Sequence, residues 1–408
     1  MRKNNFLKLF GVFAVAFVAL CAVSCSEKEE PVATSEVSVA IELKGDLPGL
    51  MATSGEFIFS NISTGTSSKV NLGEKITLVD GLYNVTFGGK GTYQSSGEPV
   101  DVNLQGTKQN VNVSGGTVAV TVEAFVQSVK EDFVIAEIFG TGTYTPLSKQ
   151  YNGDQFIRIF NNSASTLYAD GLVILESKLL TNTIYDCTPN ILDGAFAAQV
   201  VAMIPGSGTD YPVEPGKSII VCDNAINHTE ANVNSFDLSG ADFEWYTEST
   251  SSANPDVDNP AVPNLDMLYN YTLTIWILTK QGNRAYAIGR IPAEVSREKY
   301  LADYLQTYTY LLSTGATSKE QKCYRFPESW LIDAVNISPV NGYAWNLTSP
   351  AVDMGFTYYG MNTTIAENVG KSVVRKVAYT TADGRDVLLD TNNSTVDFTP
   401  ATDCSFLK

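Results

Sequence analysis

Alternation of apolar and polar residues dominates this chain. From Ser35 onward, Val37, Val39, Ile41 and Leu43 alternate with Ser38, Ala40 and Glu42, the period-two signature of a half-buried strand. Residues 57–59, 75–78, 83–87, 100–104, 111–113 and 118–122 follow in the same style, separated by Asp80-Gly81, Gly88-Gly89 and Ser114-Gly115-Gly116. Short strands at regular spacing with glycine turns predict an antiparallel β-sandwich over residues 35–128. A charged step at Lys130-Glu131-Asp132 opens a larger region, 131–408, with strands expected at 133–139, 156–160, 172–175, 216–222, 272–278 and 285–288. One segment departs from the pattern. Residues 293–310 lack Gly and Pro, follow Pro292, and place Tyr300, Leu301, Tyr304, Leu305 and Tyr308 on one face of a helix. That tyrosine stripe reads as core or interface, the alternative being an exposed rail for ligand stacking. The expected fold class is all-β with one short helical insertion.

The first residues follow another pattern. Arg2, Lys3 and Lys8 precede and interrupt an apolar run over 6–23, and Ala22 and Ser24 lead into Cys25. Charge, apolar run and small residues in that order make residues 1–24 a signal peptide. No stop-transfer flank follows, so a transmembrane anchor is the weaker reading. Ala22-Val23-Ser24-Cys25 resembles a bacterial lipobox, with Ala22 where Leu is commoner. The resemblance implies a lipid on Cys25 and an acidic tether over 25–34. Within it, the run 26–30, Ser-Glu-Lys-Glu-Glu, is similar to the export signal that carries Bacteroidota lipoproteins to the cell surface. A solvated charged linker is the alternative. The expected location is the outer membrane, lipid-anchored and facing the exterior.

Composition narrows the options. The chain has 408 residues, room for two or three domains, and carries 27 Lys and Arg against 44 Asp and Glu, a net charge of −17. The leader holds three of those cations, so the mature chain is more acidic still. Such a chain, without a Lys/Arg block, is a poor partner for nucleic acid. It is also repelled by anionic lipid, which leaves the acyl chains on Cys25 as the membrane anchor. Besides Cys21 and Cys25 there are Cys187, Cys222, Cys323 and Cys404, with no C-x-x-C among them. A structural zinc site is therefore not expected, and either up to two disulfides, in any of three pairings, or buried thiols remain open.

Several stretches resemble known families. The segment 35–128 is similar to the transthyretin-like or immunoglobulin-like spacer modules of surface lipoproteins. Phe133-Val134-Ile135-Ala136-Glu137-Ile138, Gln155 to Asn162 and Tyr168-Ala169-Asp170-Gly171-Leu172 resemble the opening of a lamin-tail-type domain. Pro215-Gly216-Lys217-Ser218, Trp330 to Val335 and the segment Gly370 to Lys376 fit its later strands, whereas the end, 391–398, departs from the usual Thr-Pro-Gly. More narrowly, the lipobox, Asp154-Gln155-Phe156-Ile157-Arg158-Ile159-Phe160-Asn161-Asn162, Ala241-Asp242-Phe243-Glu244-Trp245-Tyr246 and Arg375-Lys376 resemble the uncharacterised Bacteroidota lipoprotein family DUF4876. That resemblance implies an accessory of outer-membrane transport and supplies no catalytic residues.

The chemical inventory offers little to an enzyme. His228 is the single histidine, so multi-histidine metal sites are excluded. No Gly-x-Ser-x-Gly elbow, P-loop or dinucleotide fingerprint is present. His228 follows an expected strand, with Asp223 and Glu230 close in sequence, which makes it a candidate ligand for a metal or haem; hydrogen bonding to a loop backbone is the commoner role. Trp245 and Tyr246 are a candidate stacking platform, with burial as the alternative. Asp242, Glu244, Asp256 and Asp258, with Asn259 and Asp266 near them, are the candidate ligands for calcium, the one cofactor in view; a solvated acidic loop is the default. The Asn-rich stretch Asp390-Thr391-Asn392-Asn393-Ser394 can bond sugar hydroxyls or satisfy a turn.

The expectation is a surface lipoprotein that binds a nutrient, related to iron or haem, or a partner protein, as accessory of a TonB-dependent outer-membrane barrel. The alternatives are a glycan-binding lipoprotein, a surface hydrolase acting through paired carboxylates, and an adhesin-like scaffold.

Overall fold

The computed structural model describes residues 32–44, 49–95, 98–126, 131–252, 255–272 and 274–407. The leader, Cys25 and most of the tether lie outside the described residues. No described helix is long and apolar enough to cross a membrane.

The N-terminal region is one seven-stranded sheet. Its strands are β1 (Thr34–Leu43), β2 (Met51–Asn61), β3 (Ser67–Asn71), β4 (Lys75–Val79), β5 (Gly81–Ser95), β6 (Glu98–Val113) and β7 (Thr117–Val126). They lie in the order β3-β2-β5-β6-β7-β1-β4, with β1 parallel to β7 and the other pairings antiparallel. All seven strands send side chains into one core, among them Val37, Phe57, Phe59, Val70, Leu78, Val85, Leu104 and Val122. A single sheet reaches that sandwich-type closure only by bending, and its glycines permit the bend. A Cβ on Gly106 would stand 2.1 Å from the Glu123 carbonyl oxygen, and one on Gly89 2.3 Å from that of Ser54.

Residues 133–403 form two larger sheets. The six-stranded one runs Phe243–Glu244, Ser218–Cys222, Phe156–Asn161, Phe133–Phe139, Lys371–Arg375, Phe398–Asp403. The eight-stranded one has Leu172–Ser177, Ala195–Met203 and Ala285–Arg290 near its centre. Ile135, Ile157, Ile159, Ile174, Val200, Ile288 and Val335 join both sheets in one core. The central strands are buried on both faces, so they read as continuous apolar runs. The second face of the eight-stranded sheet, which carries Tyr308, Cys323 and Phe326, packs against Tyr300 of the short helix Arg297–Asp303.

Two expectations need correction. The helical insertion is only Arg297–Asp303, capped by the Ser296 hydroxyl, and Leu305–Tyr310 is a strand paired with Gln321–Pro327. A four-residue spacing such as Tyr304 to Tyr308 stays on one face in either conformation, which is why the pattern did not separate them. The described part of 272–278 contains no strand; the strand is Asp266–Asn270, and the following coil drops Trp276 and Leu278 into the core. Tyr300 and Tyr308 are core residues, with Tyr304 partly buried against them. Cys187, Cys222, Cys323 and Cys404 are free thiols, and burial pushes those of Cys323 and Cys404 up to about 12.

Candidate functional site

The structure does bring the chemically suggestive residues together, in the loops beyond the strands Ser218–Cys222 and Phe243–Glu244, but it buries His228, Trp245 and Glu244 and leaves only Asp242 and Asp258 of the candidate ligands exposed. His228 is fully buried. Its Nε2 lies 2.9 Å from the Asn224 carbonyl oxygen, an acceptor only, so Nε2 carries the proton and Nδ1 accepts from the Tyr151 hydroxyl at 2.8 Å. Burial also lowers its pKa, which keeps the ring neutral with no nitrogen left for a metal or haem iron. Trp245 is fully buried, packs against Trp276 at 4.8 Å between ring centres, and donates to the Trp276 carbonyl. It therefore offers no face to a ligand, and Tyr246 beside it is half-buried.

The carboxylates are engaged in the same way. Glu244, fully buried, accepts from the Ala225 N–H at 2.9 Å and the Asn259 N–H at 2.6 Å. Asp242 accepts from Ile220, Asp256 from Thr247 and Val257, and Asp258 from the Asn264 side chain. Among the described residues, no group of three or more His, Cys, Asp or Glu side chains is placed to hold a metal ion. Nearby Asp154 is also buried, accepting from Thr143 at 2.5 Å and Ser235 at 2.7 Å, and burial pushes its carboxyl up to about 6. These groups tie loop backbone to the sheet end.

An open concavity lies elsewhere. A groove of about 530 Å³ runs between the outer face of β2, β5 and β6 and the loops carrying residues 343–356 and 393–396. Strand alternation builds its first wall. Phe57, Phe59 and Val85 point into the core, so Ile58, Ser60, Asn84 and Thr86 line the groove, joined by Gln105, Thr107 and Gln109 of β6. The opposite wall holds Tyr343 and Phe356, whose rings stack at 4.1 Å and 18°. Gln109 donates to the Tyr343 hydroxyl, which donates to Asn346. Gln105 reaches across to the carbonyls of Thr391 and Asn392. None of the groove's lining residues is charged, although the chain's net charge is −17.

A buried charge network supports that second wall. The strand Phe133–Phe139 bulges at Ala136, which its pairing with Phe156–Asn161 skips, and its pairing with Lys371–Arg375 spans only Glu137 and Ile138, so the Ile135 backbone groups turn to side chains. Asp333 accepts from the Ile135 N–H and the Arg375 Nε donates to its carbonyl, both at 2.7 Å. Arg375 also contacts Asp333 at 2.5 Å, Asp390 at 3.3 Å and Asp397 at 3.5 Å, and lies over the Phe398 ring. Burial opposes its charge, yet the surrounding carboxylates raise its pKa. Asp397 in turn accepts from the N–H groups of Thr391 and Asn393, and Asp353 from Ser394 and Asn336. Thr395 then holds the Phe356 backbone at both its N–H and its carbonyl, 2.9 Å each. The Asn-rich stretch thus does the turn work expected of it, while Asn393 also lines the groove.

Comparison with known proteins agrees with the fold and leaves the activity open. Residues 214–405 match the family model described as a protein of unknown function, DUF4876, and the resemblance to that family holds; its lamin-tail-like detail has no such support. The chain is similar to the crystal structure of a DUF4876 family protein from Bacteroides thetaiotaomicron VPI-5482, at 22% identity and a TM-score of 0.56, over 92% of this chain and 98% of that one. No curated protein matches the chain.

Proposed function

We propose that this protein is a lipid-anchored binding protein of the outer cell surface that holds a neutral, hydroxyl-rich nutrient such as a glycan and serves a TonB-dependent outer-membrane barrel. The observation that carries the ligand class is the groove between the two regions. It pairs a flat aromatic stack with side-chain amides and hydroxyls, and it presents no charge. Sugars are bound through such a combination, apolar ring faces on aromatic carbon and hydroxyls on polar groups. Iron and haem find less support, since His228 has both ring nitrogens engaged. The paired-carboxylate hydrolase also finds less, because the clustered acids hold backbone N–H groups.

The leader and the Cys25 lipobox support the surface location, and the acidic run after Cys25 supports export. Binding and hand-over need no covalent step. Affinity purification of the tagged, lipidated protein from gently solubilised outer membrane tests the partnership. A stoichiometric TonB-dependent barrel in the eluate is the expected result. A protein recovered alone after crosslinking would remove the barrel from the account.

A further inference from the structure

We infer that a second pocket, distinct from the groove, binds a small organic carboxylate. It encloses about 250 Å³ where the coil 277–284 crosses the end of the strand Leu172–Ser177, and it shares no lining residue with the groove. Cations converge there in an otherwise acidic chain. Arg284 and Lys280 line the pocket, and the Lys178 ammonium lies 6.0 Å from the ring centre of Tyr271, which also lines it. Glu176 is the only carboxylate in the lining.

That carboxylate is already engaged. Glu176 is 2% exposed and accepts from Gln199 at 2.5 Å and from the Trp276 indole at 3.3 Å. It stands 3.8 Å from the Arg284 Nε. The Arg284 Nη1 donates to the carbonyls of Ser177 and Lys178 at 2.7 and 2.9 Å. The guanidinium is therefore fixed along one edge, while Nη2 has no protein partner among the described residues. Such a pre-positioned donor favours a planar carboxylate, since little side-chain freedom is lost when it binds.

Lys280 is held by the amide oxygens of Gln150 and Asn152 at 2.9 and 3.0 Å, neither of which neutralises its charge. Neither Lys178 nor Lys280 has a carboxylate within ion-pair distance among the described residues. Ile277, Leu278, Ile365 and Tyr271 provide an apolar wall for the body of the ligand. A single carboxylate suits the site better than phosphate, because Glu176 beside Arg284 repels a second negative charge.

The test is calorimetric titration of the full mature chain with acetate, benzoate and glucuronate. Glucose serves as the uncharged twin of glucuronate, and inorganic phosphate as the competing anion. At least one carboxylate is expected to bind, more weakly as salt rises, and Lys280→Gln is expected to lower its affinity roughly tenfold. Phe356→Ala, in the groove, should leave that affinity unchanged, so failure here and failure of the glycan reading stay separable. Four results would overturn the inference: no carboxylate binding at millimolar concentration, glucose binding as well as glucuronate in the Phe356→Ala background that disables the groove, phosphate binding more tightly, or a folded Lys280→Gln variant with unaltered affinity.

Discussion

The loops around His228 and the groove beside Tyr343 differ in what their polar residues face. Around His228, the histidine, the indole of Trp245 and the carboxylate of Glu244 are all buried, with hydrogen bonds directed at backbone. Along the groove, amides, hydroxyls and a stacked aromatic pair line an open concavity with no charged side chain. Reactive residue types here hold loops in place, and unreactive ones form the cavity. Buried charge still matters to the groove, at one remove: Arg375 and its carboxylates fix the wall that carries Phe356.

The contrast can be broken most forcefully at Arg375. Arg375→Met leaves Asp333, Asp390 and Asp397 without their counter-charge, and removing one partner of a buried pair costs about 3–5 kcal/mol. Urea unfolding should show that loss together with a loss of ligand binding, because the groove wall loosens with it. Glu244→Ala comes next. It strands the N–H groups of Ala225 and Asn259, for about 2–6 kcal/mol at 1–3 per orphaned group, while the folded protein keeps its glycan affinity. A fall in affinity without a fall in stability would make Glu244 a ligand contact and reverse the comparison.

Asp154 sharpens it through pH. Its folded pKa of about 6 lies above the ordinary aspartate value of 3.8. The native state therefore binds more protons than the unfolded state between those values, and this group makes stability fall as pH rises from roughly 4 to 6. The penalty is absent below pH 4, complete above pH 6, and on the order of 2–3 kcal/mol. Asp154→Asn should flatten that part of the stability–pH curve, measured by denaturant midpoint at each pH. Glycan affinity should not follow it.

Much of the fold is legible in the alternation of residues 37–43, 57–59 and 118–122, because each of those strands buries one face. The legibility fails at residues 304–310, where a spacing of four fits helix and strand alike. It fails again at 272–278, where apolar residues enter the core from coil rather than from a strand. The Arg375 hub lies in a segment that drew notice only through family resemblance. Its role rests on a bulge at Ala136, next to the Ile135 backbone that Arg375 bonds, and on carboxylates from three later segments, which no local pattern encodes.

The groove was invisible for a related reason. Its walls come from residues 58–109 and 343–396, and it holds none of the types associated with chemistry. One signal was present. The outward positions of β2, β5 and β6 carry Ser60, Asn84, Thr86, Gln105, Thr107 and Gln109, uncharged where exposed strand faces often take charge.

The central claim is that the groove binds a neutral, hydroxyl-rich ligand on its aromatic stack. Screening the mature protein against a panel of neutral glycans, then titrating the best binder into Phe356→Ala, tests it most directly. Saturable binding is expected, insensitive to salt and weakened at least roughly tenfold by the substitution, with the unfolding midpoint little changed. Binding that survives Phe356→Ala in full, or that is abolished instead by His228→Gln in a folded protein, would contradict it.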